Sequence, residues 1–126
     1  MIVEIHATLG TAVFYFATFF GLWGLWRIYR KQGVDSTYWT VLIITEVLVL
    51  VQGLLGVYQY FIAGIKTTQI HILFGAFSAL PILAAYVFSR RRQEWRDMIV
   101  YDIALIILAI LAFGALRTAG PLMIAN

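Results

Sequence analysis

Four long apolar segments, separated by short polar or charged stretches, dominate this 126-residue chain. They cover positions 3–26, 39–63, 69–88 and 98–116. Each is close to the roughly 20 residues that an α-helix needs to cross about 30 Å of hydrocarbon. Hydrophobic residues make up 63% of the chain and charged residues 12%, which excludes an ordinary water-soluble globular domain. The sequence therefore predicts an integral membrane protein.

Segments of this length and continuous hydrophobicity predict helices rather than the alternating strands of a membrane β-barrel. The connections of roughly 5 to 12 residues place successive helices side by side and antiparallel. We therefore expect one all-α domain over residues 1–126, an integral membrane four-helix bundle with up-down-up-down topology.

Basic residues concentrate at one end of this predicted bundle. Seven of the nine Lys and Arg residues fall in two loops, namely Arg27, Arg30, Lys31, Arg90, Arg91, Arg92 and Arg96. The positive-inside tendency places such loops in the cytoplasm and hence both termini outside. This pattern favours a multi-pass protein of a bacterial-type inner (cytoplasmic) membrane. We assign the positive charge to orientation and anionic lipid, and we expect no nucleic-acid partner.

The two histidines are the first candidates for a functional site, because polar groups inside spans are costly and usually face the bundle interior. His6 and His71 each lie about one turn from the outer end of their helices, and so at one depth. Each is followed four residues later by a glycine, Gly10 or Gly75, which shares its helix face and leaves room beneath the ring. The alternative is a hydrogen-bonded histidine beside a close-packed glycine.

Paired imidazoles at one depth predict the axial ligands of a haem b held between the first and third spans. Six-coordinate iron with two His ligands suits electron transfer rather than oxygen chemistry. Cysteine is absent, so no thiolate ligand is available. Two histidines alone leave the tetrahedral shell of zinc incomplete. The metal ligands are therefore predicted to be His6 and His71.

Three further polar residues are predicted to lie near this site. Gln52 and Gln59 share one face of the second span with Gly56, by their spacing of four and seven residues. Arg117, at the outer end of the fourth span, is placed to pair with haem propionates. The alternatives are a glutamine that cements helix packing and an arginine that extends to the interface.

Glu46 and Asp102 lie roughly two turns from the basic end of the second and fourth spans. Capping by water, pairing with loop arginines, a proton path and a quinone pocket all remain open for them. In the third span, Pro81 predicts a kink.

The order and spacing of these groups follow a recognisable pattern. An acidic residue and a histidine come first, then a basic loop, then Gln-x-x-x-Gly, and then a second histidine nineteen residues after the glutamine: Glu4-Ile-His6, Arg27 to Lys31, Gln52-Gly-Leu-Leu-Gly56 and His71. From Val3 to about Arg92 the chain resembles the four-helix haem-binding half of the haem A synthase family. The resemblance implies that His6 and His71 bind haem.

Two departures limit what the resemblance implies. Glu4 stands two residues before His6 and Ala7 follows it, where the family has a spacing of three and an arginine. The family's enzymes also carry two such bundles, whereas this chain has one. The resemblance therefore implies a small b-type cytochrome and does not extend to oxidation of a haem methyl group.

Three functions follow for comparison with the structure. The first is an electron-transfer subunit that exchanges electrons with quinol or a partner redox protein. The second is a cofactor-free accessory subunit of a larger respiratory or photosynthetic complex, which packs against lipid and other subunits. The third is an iron-free quinone or small-ligand pocket lined by His6, Gln59, His71 and Arg117. No motif indicates an independent hydrolase or transferase.

Overall fold

Five helices form four membrane crossings in the computed structural model, which describes residues 1–90, 92, 94–120 and the backbone of 123–124. The helices are α1 (Ile2–Tyr29), α2 (Ser36–Phe61), α3 (Gln69–Phe77), α4 (Leu80–Ser89) and α5 (Trp95–Thr118). Because α3 and α4 together make the third crossing, four crossings are long and apolar enough to span a membrane. The predicted all-α, four-span architecture is confirmed. Arg91, one of the loop arginines, lies outside the described residues.

Polar capping residues determine where two of the crossings begin. The Asp35 carboxylate accepts a hydrogen bond of 2.8 Å from the backbone N–H of Tyr38 at the start of α2. Glu94 and Asp97 form a reciprocal capping box at the start of α5. These caps satisfy N–H groups that lack partners within the helix. As a result, α2 and α5 each begin three residues before the apolar segments do.

The third crossing is divided at Ser78 and Ala79, shortly before Pro81. Proline has no backbone N–H, so Pro81 leaves the carbonyl of Phe77 without its usual helical donor. Pro81 instead occupies the first turn of α4, where a missing N–H costs little. The proline therefore produces a break in the crossing, with a new helix beginning just before it.

Helices α1 and α5 are the centre of the bundle. They pack extensively against each other, while α2 packs on α1, and α3 and α4 pack on α5. Among the residues that the structure describes, α2 makes no comparably extensive contact with the third crossing. The largest fully buried apolar and aromatic side chains belong to α2 and α5: Tyr38, Leu42, Met98, Tyr101, Leu105 and Leu108.

We call the end where α1 begins and α5 ends the histidine end, and the opposite end the basic end. At the histidine end, strand β1 (Ile65–Lys66) pairs antiparallel with strand β2 (Met123–Ile124). The Thr67 and Thr68 hydroxyls donate hydrogen bonds to carbonyls at and just beyond the end of α5. The loop before α3 is therefore fastened to the end of α5, which fixes the position of the third crossing.

Gly24 provides a test of this packing. A Cβ at Gly24 would collide with the Asp102 carboxylate and would lie 3.0 Å from the Tyr38 hydroxyl. Overpacking of this kind costs about 1–3 kcal/mol. We expect Gly24→Ala to lower the free energy of unfolding by that amount, measured as a lower Tm in detergent. At Gly53 an added Cβ meets nothing within 4 Å, so Gly53→Ala should not lower Tm. Equal Tm values for the two variants would contradict the packing described.

Candidate paired-imidazole site

The structure brings the two histidines together at the histidine end. The ring centroids of His6 on α1 and His71 on α3 lie 6.1 Å apart, with their planes at 74°. Both residues are half-buried. Two imidazoles that bind one metal ion through bonds of about 2 Å have centroids roughly 6 Å apart. The observed separation therefore suits two ligands of a single metal.

Each ring uses Nδ1 to contact a backbone carbonyl of a neighbouring helix. His6 Nδ1 lies 3.1 Å from the carbonyl oxygen of Gln52, and His71 Nδ1 lies 2.6 Å from that of Ala115. A carbonyl oxygen can only accept, so Nδ1 is the donor in both contacts, and in the neutral form of each ring Nε2 carries no hydrogen. This is the arrangement typical of metal-binding histidines, because the Nδ1 hydrogen bond fixes the tautomer and the ring orientation.

Gly56 on α2 makes room for the His6 ring. A Cβ at Gly56 would lie 3.1 Å from His6 Cε1, tighter than an ordinary contact. Gly56 follows Gln52 by one helical turn, so the absence of its side chain also uncovers the Gln52 carbonyl. The Gln52-x-x-x-Gly56 pattern therefore creates the surface on which His6 rests.

His71 is positioned by the cap of α3 and by close packing on α5. The Thr68 hydroxyl accepts a hydrogen bond of 3.2 Å from the His71 N–H and donates one of 2.5 Å to the carbonyl of Thr118. One turn deeper, Phe74 packs against Gly114, where an added Cβ would lie 2.8 Å from the ring. This close approach brings His71 within reach of the Ala115 carbonyl.

The open space predicted one turn below each histidine, at Gly10 and at Gly75, differs between the two positions. Gly10 is buried, and a Cβ there would lie 3.0 Å from Gln52 Nε2, so the space below His6 is filled by the Gln52 amide. Gly75 is exposed, and a Cβ there meets nothing within 4 Å. The open space near His71 therefore lies at the exposed surface of α3. Gln52 Oε1, meanwhile, is buried without a hydrogen-bond partner.

The other two predicted site residues lie at the same end but contact different groups. Gln59 is buried, and its Nε2 donates a hydrogen bond of 3.4 Å to the carbonyl of Ile2. It therefore joins α2 to the start of α1. Arg117 is exposed, with its guanidinium carbon 5.6 Å from the centre of the Phe113 ring. The structure thus brings Gln52 to the histidines, and shows Gln59 and Arg117 in contacts of their own.

Several contributors to the site were not anticipated from the sequence. The Gln52 and Ala115 carbonyls are backbone groups and leave no mark in a sequence. Thr68 did leave a signal, since a threonine three residues before His71 is typical of a helix N-cap. Gly114 resembles any other small residue of a membrane helix until its partner Phe74 is known.

The donor set limits which metal sites are feasible. No group of three or more His, Asp or Glu side chains suitable for a metal ion occurs in the described part of the chain. The described residues therefore do not supply enough ligands for a metal ion that is coordinated by protein side chains alone. A macrocycle that supplies four equatorial donors leaves at most two axial positions for the protein, a number that His6 and His71 could fill.

Fold and site together define a multi-pass helical membrane protein with a paired-imidazole site near one end. Comparisons with protein-family models, characterised proteins and solved structures found no match. The function must therefore be argued from the site itself.

Proposed function

We propose that this protein is a membrane b-type cytochrome subunit that holds one haem b between His6 and His71. The observation that carries the proposal is the ring separation of 6.1 Å, with each Nδ1 on a backbone carbonyl. Both Nε2 atoms are then free to serve as axial ligands. The resemblance of Glu4-Ile-His6 and the Gln52 motif to the haem A synthase family supports the same pair of ligands.

The haem would supply reversible one-electron chemistry. The protein's own contribution is to hold the two half-buried rings in one orientation through the hydrogen bonds of their Nδ1 atoms. Gln52 acts twice, since its carbonyl holds His6 and its amide fills the space over Gly10. Such hydrogen bonding and burial are the means by which proteins adjust a haem potential.

Electron exchange is proposed at the histidine end, with a quinol or a partner redox protein. The concentration of arginines at the basic end supports the orientation in which the histidine end faces outward from a bacterial-type inner membrane. Large apolar side chains are exposed along all four crossings, among them Phe19, Leu54, Val87 and Ile110. These surfaces suit lipid and other subunits of a respiratory or photosynthetic complex.

The test is an absorption spectrum of the purified chain. We expect a sharp reduced-minus-oxidised band and about one extractable haem b per chain, because the site offers one pair of axial ligands. A folded, colourless protein after expression with excess haem would contradict the proposal and favour the accessory subunit. Quinone extracted in stoichiometric amount from a colourless protein would favour the iron-free pocket.

A further inference from the structure

Two carboxyl groups are buried in the part of the bundle between the histidine site and the basic end. Asp102 on α5 is 1% exposed, and its Oδ2 has no hydrogen-bond partner. Glu46 on α2 is 8% exposed, and neither of its carboxyl oxygens has a partner. A buried ionised carboxylate is costly unless a cation, a hydrogen-bond donor or a proton meets it. These groups therefore call for an explanation beyond packing.

Asp102 is connected to the surface at the basic end. The Tyr38 hydroxyl donates a hydrogen bond of 3.3 Å to Asp102 Oδ1. The N–H of the same tyrosine donates to Asp35, which is half-exposed and pairs with Arg27 at 3.3 Å. Tyr38 thus joins a buried carboxyl group to a polar cluster that reaches water.

The contacts between α1 and α2 give the depth of Glu46. Gly10 of α1 faces Gln52 of α2, and Gly24 of α1 faces Tyr38 of α2. Between these two contacts α1 advances by fourteen residues and α2 goes back by fourteen, so the two antiparallel helices keep one register over this length. By this register Glu46 lies level with position 16 of α1. Thr18 lies two residues deeper, about 3 Å, and its hydroxyl is also buried without an acceptor or donor from the protein.

Buried side-chain oxygen atoms that lack a hydrogen-bond partner therefore occur at several depths along the bundle axis. From the basic end they belong to Asp102, Thr18, Glu46 and Gln52. They come from three different helices, so the pattern is not the irregularity of a single helix. Buried polar groups of this kind are normally met by internal water, which also conducts protons.

We propose that Glu46 and Asp102 are two separate proton-loading groups, about 12 Å apart along the bundle axis, that exchange protons with the basic end and respond to the redox state of the paired-imidazole site. The inference rests on the proposed cytochrome function. When the site gains one electron from a quinol or redox partner, one proton enters from water at the basic end and forms an O–H bond with a carboxylate oxygen. When the electron leaves, that O–H bond breaks and the proton returns to water.

The electrostatic coupling follows from distance and surroundings. Gly56 lies level with His6 in this register, so Glu46, ten residues along α2, lies about 15 Å from that level, and Asp102, level with Gly24, lies further away. In a poorly polarisable interior, an added negative charge at this distance favours protonation of a carboxylate. Glu46 is therefore the carboxyl group that responds more strongly to the electron, and Asp102, nearer the basic end, responds less.

The other titratable and charged groups on the helices that line this interior have identified interactions. Arg27 is paired with Asp35, Asp97 with Arg92 at 3.4 Å, and the Tyr101 hydroxyl bonds Ser89 at 2.8 Å. The set comprises Arg27 on α1, Tyr38 on α2, Tyr86 on α4, Asp97 and Tyr101 on α5, with His6 and His71 at the far end. Within the described residues no ion pair forms between a cation and either Glu46 or Asp102.

The test is a redox titration of the haem-loaded protein over a range of pH. We expect the midpoint potential to fall as pH rises, with a slope that stays well below the limit of about 59 mV per pH unit for one proton per electron, because the nearer carboxyl group lies about 15 Å from the site. The double variant Glu46→Gln, Asp102→Asn should be nearly independent of pH. As a control, Glu94→Gln removes an exposed carboxylate at the basic end and should keep the wild-type slope.

A second measurement covers the case in which these variants fail to fold. The infrared reduced-minus-oxidised difference spectrum of the wild-type protein should show a protonated-carboxyl band that shifts in heavy water. A haem-loaded protein with neither a pH slope nor this band would overturn the present inference alone. A protein that binds no haem would overturn the proposed function and, with it, this inference.

Discussion

Replacing His71 by alanine should abolish haem binding while leaving the helical bundle folded. The substitution removes one of the two proposed axial ligands and the hydrogen bond to the Ala115 carbonyl. Thr68 still caps α3 through a backbone contact that alanine retains. We expect the reduced-minus-oxidised absorbance per chain to fall at least about tenfold, the loss typical when a metal-site group is removed. His6→Ala should have a comparable effect, because the two rings contribute equivalent ligands.

The conservative variant His71→Met separates ligation from a merely structural role. Methionine can also serve as an axial ligand of haem iron, and replacing histidine by methionine raises the potential. His71→Met should therefore recover bound haem relative to His71→Ala and show a higher midpoint potential. Gly53→Ala serves as the folding control. Undiminished haem content in both His6→Ala and His71→Ala would contradict the assignment of the ligands.

The architecture was largely predictable from the sequence, since crossing a bilayer requires a minimum apolar length that four segments satisfy. The ends of the helices were harder to locate, because polar caps such as Asp35 and Glu94 extend α2 and α5 beyond their apolar segments. Pro81 indicated a kink in the third crossing. The structure interrupts the regular helix at Ser78 and Ala79, whose backbone angles stay in the right-handed helical region, so the two halves still form one crossing.

Less of the site could be foreseen. Depth follows from helical rise, so the common level of His6 and His71 was accessible, and the structure places the rings in proximity. The carbonyl groups that accept the Nδ1 hydrogen bonds could not be predicted, because every residue has a backbone carbonyl and the sequence does not distinguish them. The space below His6 was also misjudged: a sequence shows that Gly10 lacks a side chain, but it does not show that Gln52 fills the gap.

That difference between the two glycines makes Gly75 the more informative position. The Gln52 amide occupies the space on the α1 side, whereas the space at Gly75 is open. We therefore predict that the proposed macrocycle, if ligated by both rings, extends along the exposed face of α3 at Gly75. Gly75→Leu places four carbon atoms in that space, and we expect haem content to fall at least about tenfold, comparable to the loss of a ligand.

Gly53→Leu is the matched control, because Gly53 is also exposed and also has nothing within 4 Å of an added Cβ. Both substitutions exchange glycine for a good helix former on an exposed face, so both proteins should keep or slightly raise Tm. Only Gly75→Leu should lose the reduced-minus-oxidised band. If both variants bind haem as the wild type does, the macrocycle does not lie beneath His71, because the two sites differ only in their relation to the histidines.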